Sequence, residues 1–184
     1  ANFDVEFTIS LEEDWWTFIN AIEQDSNGDY WVFTTDENID DNGTSEDDSD
    51  DIYTYPRVLL KIDGTTQTVV GTYASTTAEA ATDWSAEWEA NSIVELSNGN
   101  ILLVSEKDGD VFYEIIDPST MLMVASGSYG SSSANDNVKS VQVAADPAGG
   151  FYLTAGIGAI DEFFAASGLT QKGHRDVMVT KFDN

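Results

Sequence analysis

The chain has 184 residues, 41% of them apolar, and carries 34 acidic side chains against 7 basic ones, for a net charge of −27. Such a charge is repelled by phosphate backbones and anionic lipid surfaces, which argues against nucleic-acid binding. No run of about 18 apolar residues is present for membrane insertion as a helix. Cysteine is absent, which excludes disulfides, thiolate metal sites and a cysteine nucleophile. Disorder is disfavoured by five Trp, seven Tyr and nine Phe, ample material for a core. The start at Ala1, with no basic apolar-cored leader, fits a trimmed N-terminus, and the composition reads as extracellular or cell-surface. So many carboxylates repel one another in low salt, so cations are expected partners of the folded chain.

From the N-terminus, "FDVEFTISL" (3–11) alternates apolar and polar residues, with Phe3, Val5, Phe7 and Ile9 on one side. It predicts a strand with no unit of its own. A phrase then occurs three times, a polar turn running straight into an apolar stretch: "EQDSNGDYWVFTT" (23–35), "VELSNGNILLVSE" (94–106) and "AADPAGGFYLTAG" (144–156). Asn-Gly and Gly-Gly accept positive φ cheaply, so each phrase predicts a hairpin. The strands entering the turns are "FINAIEQ" (18–24), "ANSIVEL" (90–96) and "VKSVQVAA" (138–145).

A third strand ends each unit's core in an Asp turn: "RVLLKIDG" (57–64), "VFYEIIDP" (111–118) and "DVMVTKFDN" (176–184). A fourth follows in the first two units, "TVVGTYAS" (68–75) and "MLMVASGSY" (121–129), and is missing from the third. The chain 1–184 therefore reads as one all-β repeat domain: units 12–75, 76–130 and 131–184, with 1–11 as a closing or donor strand for the last unit.

These units resemble the repeats of bacterial extracellular β-propellers, which carry D-x-x-x-S-I-x-x-x-x-D-G-G-Y-x-x-x-G followed by D-x-x-L-x-K-x-D-x-x-G. The likeness rests on "ANSIVELSNGNILLVSEKDGDVFYEIID" (90–117), "DVMVTKFDN" (176–184), "INAIEQDSNGDYWVF" (19–33) and "VLLKIDG" (58–64). It implies a β-propeller-like fold of three four-stranded blades, the N-terminal strand completing the last in cis or in trans. It also implies a surface or secreted protein with a binding or structural role. Propellers have about four to eight blades, and three supply no obvious closed ring. That departure predicts association between copies, by strand donation or by blade packing.

Candidate chemistry lies in what is inserted between strands. The first excursion, "DENIDDNGTSEDDSDDIYTYP" (36–56), has nine acids among its first sixteen residues. Within it Asn38, Asp40, Asn42, Thr44 and Glu46 stand at alternating positions around a bend at Gly43, the spacing that points several oxygens at a hard cation such as Ca²⁺. Ser49 replaces the closing bidentate Glu and helical flanks are not expected, so this is no EF-hand; a solvated acidic loop is the alternative. The third excursion, 157–176, predicts a short helix over 161–168 and holds the single histidine, His174, read as a polar loop residue. Trp84 and Trp88 match Trp15 and Trp16 in position and are read as packing between units, with a glycan-stacking platform as the alternative. Trp31, inside an apolar strand, is expected in the core. Carboxylate pairs are too common to single out a glycosidase, and no nucleophile elbow or phosphate loop occurs. The expected role is a non-enzymatic extracellular structural protein that binds copies of itself, assisted by calcium; a lectin- or adhesin-like module for glycans is the alternative.

Overall fold

The computed structural model describes residue 8 and residues 17–36, 38–40, 52–75, 79–80, 92–107, 110–129, 139–158 and 175–183. The alternation of apolar and polar side chains over six to eight residues, punctuated by Gly and Asp turns, becomes antiparallel sheet throughout. The first sheet is β1 (Thr17–Gln24), β2 (Tyr30–Asp36), β5 (Arg57–Ile62) and β6 (Val69–Ala74), paired in that order. The second is β8 (Ser92–Glu95), β9 (Ile101–Lys107), β10 (Asp110–Asp117) and β11 (Leu122–Tyr129), again in chain order. The third has three strands among the described residues, β12 (Lys139–Ala145), β13 (Phe151–Gly158) and β14 (Arg175–Phe182). Each sheet is thus a meander whose strands correspond to one of the units read from the sequence.

The recurring phrase is one turn built three times. Gly28, Gly99 and Gly149 donate their N–H to the carbonyls of Asp25, Leu96 and Asp146, three residues back. Those same three residues donate in return to the carbonyls of Asp29, Asn100 and Gly150. The glycines have φ of 91°, 83° and 112°, the left-handed value that closes a type I turn with a bulge. Asp25 adds a cap: its Oδ1 accepts from the amides of Asn27 and Asp29, and its Oδ2 from the indole of Trp31 at 2.9 Å.

The three sheets stack in chain order, and the cores lie between them. Trp31, Phe33, Leu59 and Tyr73 on the first sheet pack against Ile93, Ile101, Leu103 and Ile116 on the second. On the other side of the second sheet, Leu102, Val104 and Val111 pack against Val141, Phe151, Leu153, Ala155 and Met178 of the third. Each sheet therefore has a front, facing its successor, and a back, facing its predecessor. The first strands lie side by side, β8 between β1 and β12. Trp31 is fully buried, as the sequence predicts.

Three short strands were not anticipated. β3 (Asn38–Asp40) pairs with β4 (Ile52–Tyr55), and β4 with β7 (Glu79–Ala80), forming a small separate sheet. The first excursion is therefore not wholly an acidic loop: its two ends pair as a ladder. The described strands form four open sheets and do not close into a barrel. No helix among the described residues is long and apolar enough to cross a membrane.

Candidate assembly interface

The third sheet ends at β14, which pairs with β13 on one side and with no other strand among the described residues. The sequence "VMVTKF" is apolar at consecutive positions, so it offers both of its faces to burial. Met178 and Phe182 use one face: Met178 is buried in the core beneath the second sheet. Phe182 stacks on Phe151 (centroids 4.6 Å apart, rings at 12°) and meets Tyr129 of the second sheet edge-on at 5.5 Å. Such aromatic pairs contribute about 0.5–1.5 kcal/mol beyond their area burial, so β14 is firmly held from behind. The opposite face is not covered: Val177 is 79% exposed and Val179 67%.

Lys181 shares that face. Its ammonium pairs with Asp146 at 2.8 Å and Asp183 at 3.3 Å, and lies 5.8 Å from the centre of the Tyr152 ring. These carboxylates, Asp146 first, raise the lysine pKa, and Lys181 together with the Ala148 amide holds Asp146 below the ordinary carboxylate range. Edge lysines ordinarily repel an incoming strand because their charge is hard to desolvate. Here the charge is already matched by two carboxylates.

The interface between the first two sheets shows what a completed contact looks like. Glu114, buried on β10, accepts from the Tyr73 hydroxyl at 2.9 Å and from the Ser75 hydroxyl, both from the first sheet. Buried Arg57 of β5 donates to the carbonyl of Glu106 on β9 at 2.8 Å. At the turn end, Ser26 donates through its amide and hydroxyl to Glu95 at 2.7 and 2.8 Å. Sequence reasoning missed these polar bridges because their partners are 39–69 residues apart and belong to different units.

Of the predicted calcium ligands, Asn38 and Asp40 are placed, two residues apart on β3, opposite Thr54 and Ile52. Asn42, Thr44 and Glu46 lie outside the described residues, as do Trp84, Trp88, His174, the helix expected over 161–168 and the strand residues Phe3, Val5, Phe7 and Ile9. Among the described residues no group of three or more Asp, Glu or His side chains is gathered to hold a metal ion. Val177 and Val179 were read only as part of a strand; the doubly apolar "VMV" was the signal of their second face.

No protein-family model, no curated protein and no solved structure matches this chain.

Proposed function

We propose that the protein is a non-enzymatic extracellular structural subunit that self-associates, its sheets acting as the blades of an incomplete propeller. The observation that carries this reading is the inequality of the three sheets. The first and second have a fourth strand, β6 and β11, beyond the third, whereas the third sheet has three described strands and ends at β14. Residues 3–11 have the alternation of a strand and are the segment assigned to that edge, in the same chain or in a neighbour. Strand addition of this kind gains main-chain hydrogen bonds along the whole edge and selects its partner through alternate side chains.

The acidic insert 36–56 gives the calcium part of the reading: dense carboxylates order more readily around a divalent cation than around water. The resemblance of the units to bacterial extracellular propeller repeats supports the location outside the cell.

The test is light scattering on the purified chain, in calcium and in chelator, beside a variant lacking residues 1–11. Large species that vanish with the deletion are the expected result. A chain that is monomeric with or without residues 1–11, and merely less stable after the deletion, would mean the strand closes its own third sheet and would end the structural-polymer reading.

A further inference from the structure

We infer that the outer edge of the second sheet, β11, is a contact between copies, pairing antiparallel with β11 of a second copy across a two-fold axis. This rests on the self-association reading but uses an edge other than β14 and needs no donated strand.

Among the described residues, the strands that end a sheet are β1, β3, β6, β7, β8, β11, β12 and β14. All of them carry an acidic or basic residue except β6 and β11. Around β11 the neutral stretch runs from Pro118 to Asn135, in a chain with 34 acids. Charge on an edge strand is a usual device that stops sheets from adding to one another, and β11 is without it. It is also bare on both faces. Every residue from Leu122 to Ser126 is exposed, Leu122 at 63% and Val124 at 56%. The other neutral edge, β6, is shorter, six residues against eight, and turns Tyr73 into the core.

Three carboxylates stand on the neighbouring strand β10, and none faces the middle of this edge. Glu114, opposite Ser126, is buried and held by Tyr73 and Ser75 of the first sheet. Asp117, opposite Leu122, lies at one end, where the hydroxyl and amide of Ser119 donate to it and hold it below the ordinary carboxylate range. Asp110 lies beyond the other end, one residue before Val111, the partner of Tyr129. A bulge at Val124 interrupts the ladder, and bulges deflect an edge. From Ala125 to Tyr129 the pairing is regular, so this is the part that can add a strand. A two-fold axis at its centre, Gly127, sets Ser126 opposite Ser128 of the second copy and small Ala125 opposite Tyr129. Cross-strand pairs of hydroxyls, and of large against small side chains, are favourable neighbours on a sheet.

Charge selects the occupant. A cationic partner is drawn to the acidic surface and not to a neutral edge, and an anionic partner is repelled. Another copy also carries −27, so it can approach closely only where neither side presents charge. β11 against β11 is that arrangement. The contact is isologous, each copy giving the same strand, and it closes at two copies. Donation of residues 1–11 to β14 is heterologous and continues from copy to copy.

The chain has no cysteine, so an introduced thiol reports its neighbour. The experiment mixes two full-length variants, Ser126→Cys and Ser128→Cys, under mild oxidation, beside Thr72→Cys on the exposed part of β6. All three positions are exposed, and circular dichroism checks that the variants fold. The salt is about 1 M, where a Debye length of about 3 Å screens the repulsion between such acidic copies. The expected result is a covalent dimer that forms several-fold faster in the mixture than in either variant alone or in Thr72→Cys. In sedimentation at the same salt, Ala125→Lys with Ser126→Lys should lose the two-fold contact. A mixture that cross-links no faster than Thr72→Cys overturns the proposal, and so does a dimer that survives both lysines. If large species then still form and vanish on deleting residues 1–11, strand donation stands alone. Cross-linking that persists after that deletion supports edge pairing whether or not donation occurs. Cross-linking lost with residues 1–11 would make the β11 contact a consequence of donation and overturn direct pairing.

Discussion

The hydroxyl of Tyr73, on the outer strand of the first sheet, donates to the buried carboxylate of Glu114 on the second sheet at 2.9 Å. Burial, then the hydrogen bond to Glu114, then the charge of Glu114, together raise the phenol pKa well above its ordinary value of about 10. A raised folded-state pKa means the unfolded chain loses this proton first as pH rises. The contribution is complete below about pH 10 and is lost through the alkaline range above it. Tyr73→Phe should cost about 1–3 kcal/mol at neutral pH, because Glu114 loses one of its donors in a buried site. It should also remove part of the stability loss above about pH 10. Urea unfolding at pH 8 and in the alkaline range reads both effects; an unchanged alkaline slope in the variant would separate Tyr73 from the pH response.

Gly150 shows how closely the turns are fitted. Its φ is 77°, and a Cβ placed there would fall 1.9 Å from the carbonyl oxygen of Phe182 on the neighbouring strand. Gly99 has φ of 83° but open space around the missing Cβ. Gly99→Ala should therefore cost only the left-handed strain, about 1–2 kcal/mol. Gly150→Ala should cost more, because β14 or the turn must also move away. Equal losses on chemical denaturation would mean the close approach does not govern the site.

Most of the architecture was legible because it is local. Each hairpin is written in a turn of five residues and the alternation beside it, so all eleven strands expected within the described residues are present. β3, β4 and β7 were not legible: strands of two to four residues in an acid-rich stretch have too few side chains to show a period, and their pairing is set by position rather than by composition. The stacking order followed from repetition, but which residues of each strand face forward did not. Bulges between Ile19 and Ala21 and between Ile115 and Ile116 shift the alternation part-way along a strand. The lock at Glu114 was illegible for another reason: a lone Glu inside "VFYEIID" reads as a solvent-facing residue until a second sheet brings Tyr73 and Ser75 to it.

The acid-rich insert makes a prediction about cations. If Asp40, Asn42 and Glu46 contribute oxygens to one Ca²⁺, calcium should raise the melting temperature by more than sodium chloride at matched ionic strength. A ligand present at about 100 times its Kd adds about 2.7 kcal/mol of stability. Asp40→Asn with Glu46→Gln should erase the calcium-specific part and leave the salt-dependent part, which reports screening. Scanning calorimetry in the two salts decides it, and equal shifts for calcium and sodium would leave screening as the whole effect.

Lys61 and Lys181 occupy the same ladder position, each over an aromatic ring, and each is held by a carboxylate from the adjoining turn: Asp29 at 3.1 Å for Lys61 and Asp146 at 2.8 Å for Lys181. The second unit has Ile115 there, and its turn has Leu96 and Asn100 where the first has Asp25 and Asp29. The second unit thus lacks both the lysine and the carboxylate that pairs with it in the first. Ile115→Lys should therefore destabilise the chain by about 1–3 kcal/mol, since an ammonium would enter the packing between the second and third sheets without a counter-charge. Adding Asn100→Asp should recover part of the loss, because it restores the pair that Asp29 makes with Lys61. A double-mutant cycle by urea unfolding should give a favourable coupling of about 0.5–3 kcal/mol. Additive losses would show that the ladders align the backbones of the units without making their side-chain sites interchangeable.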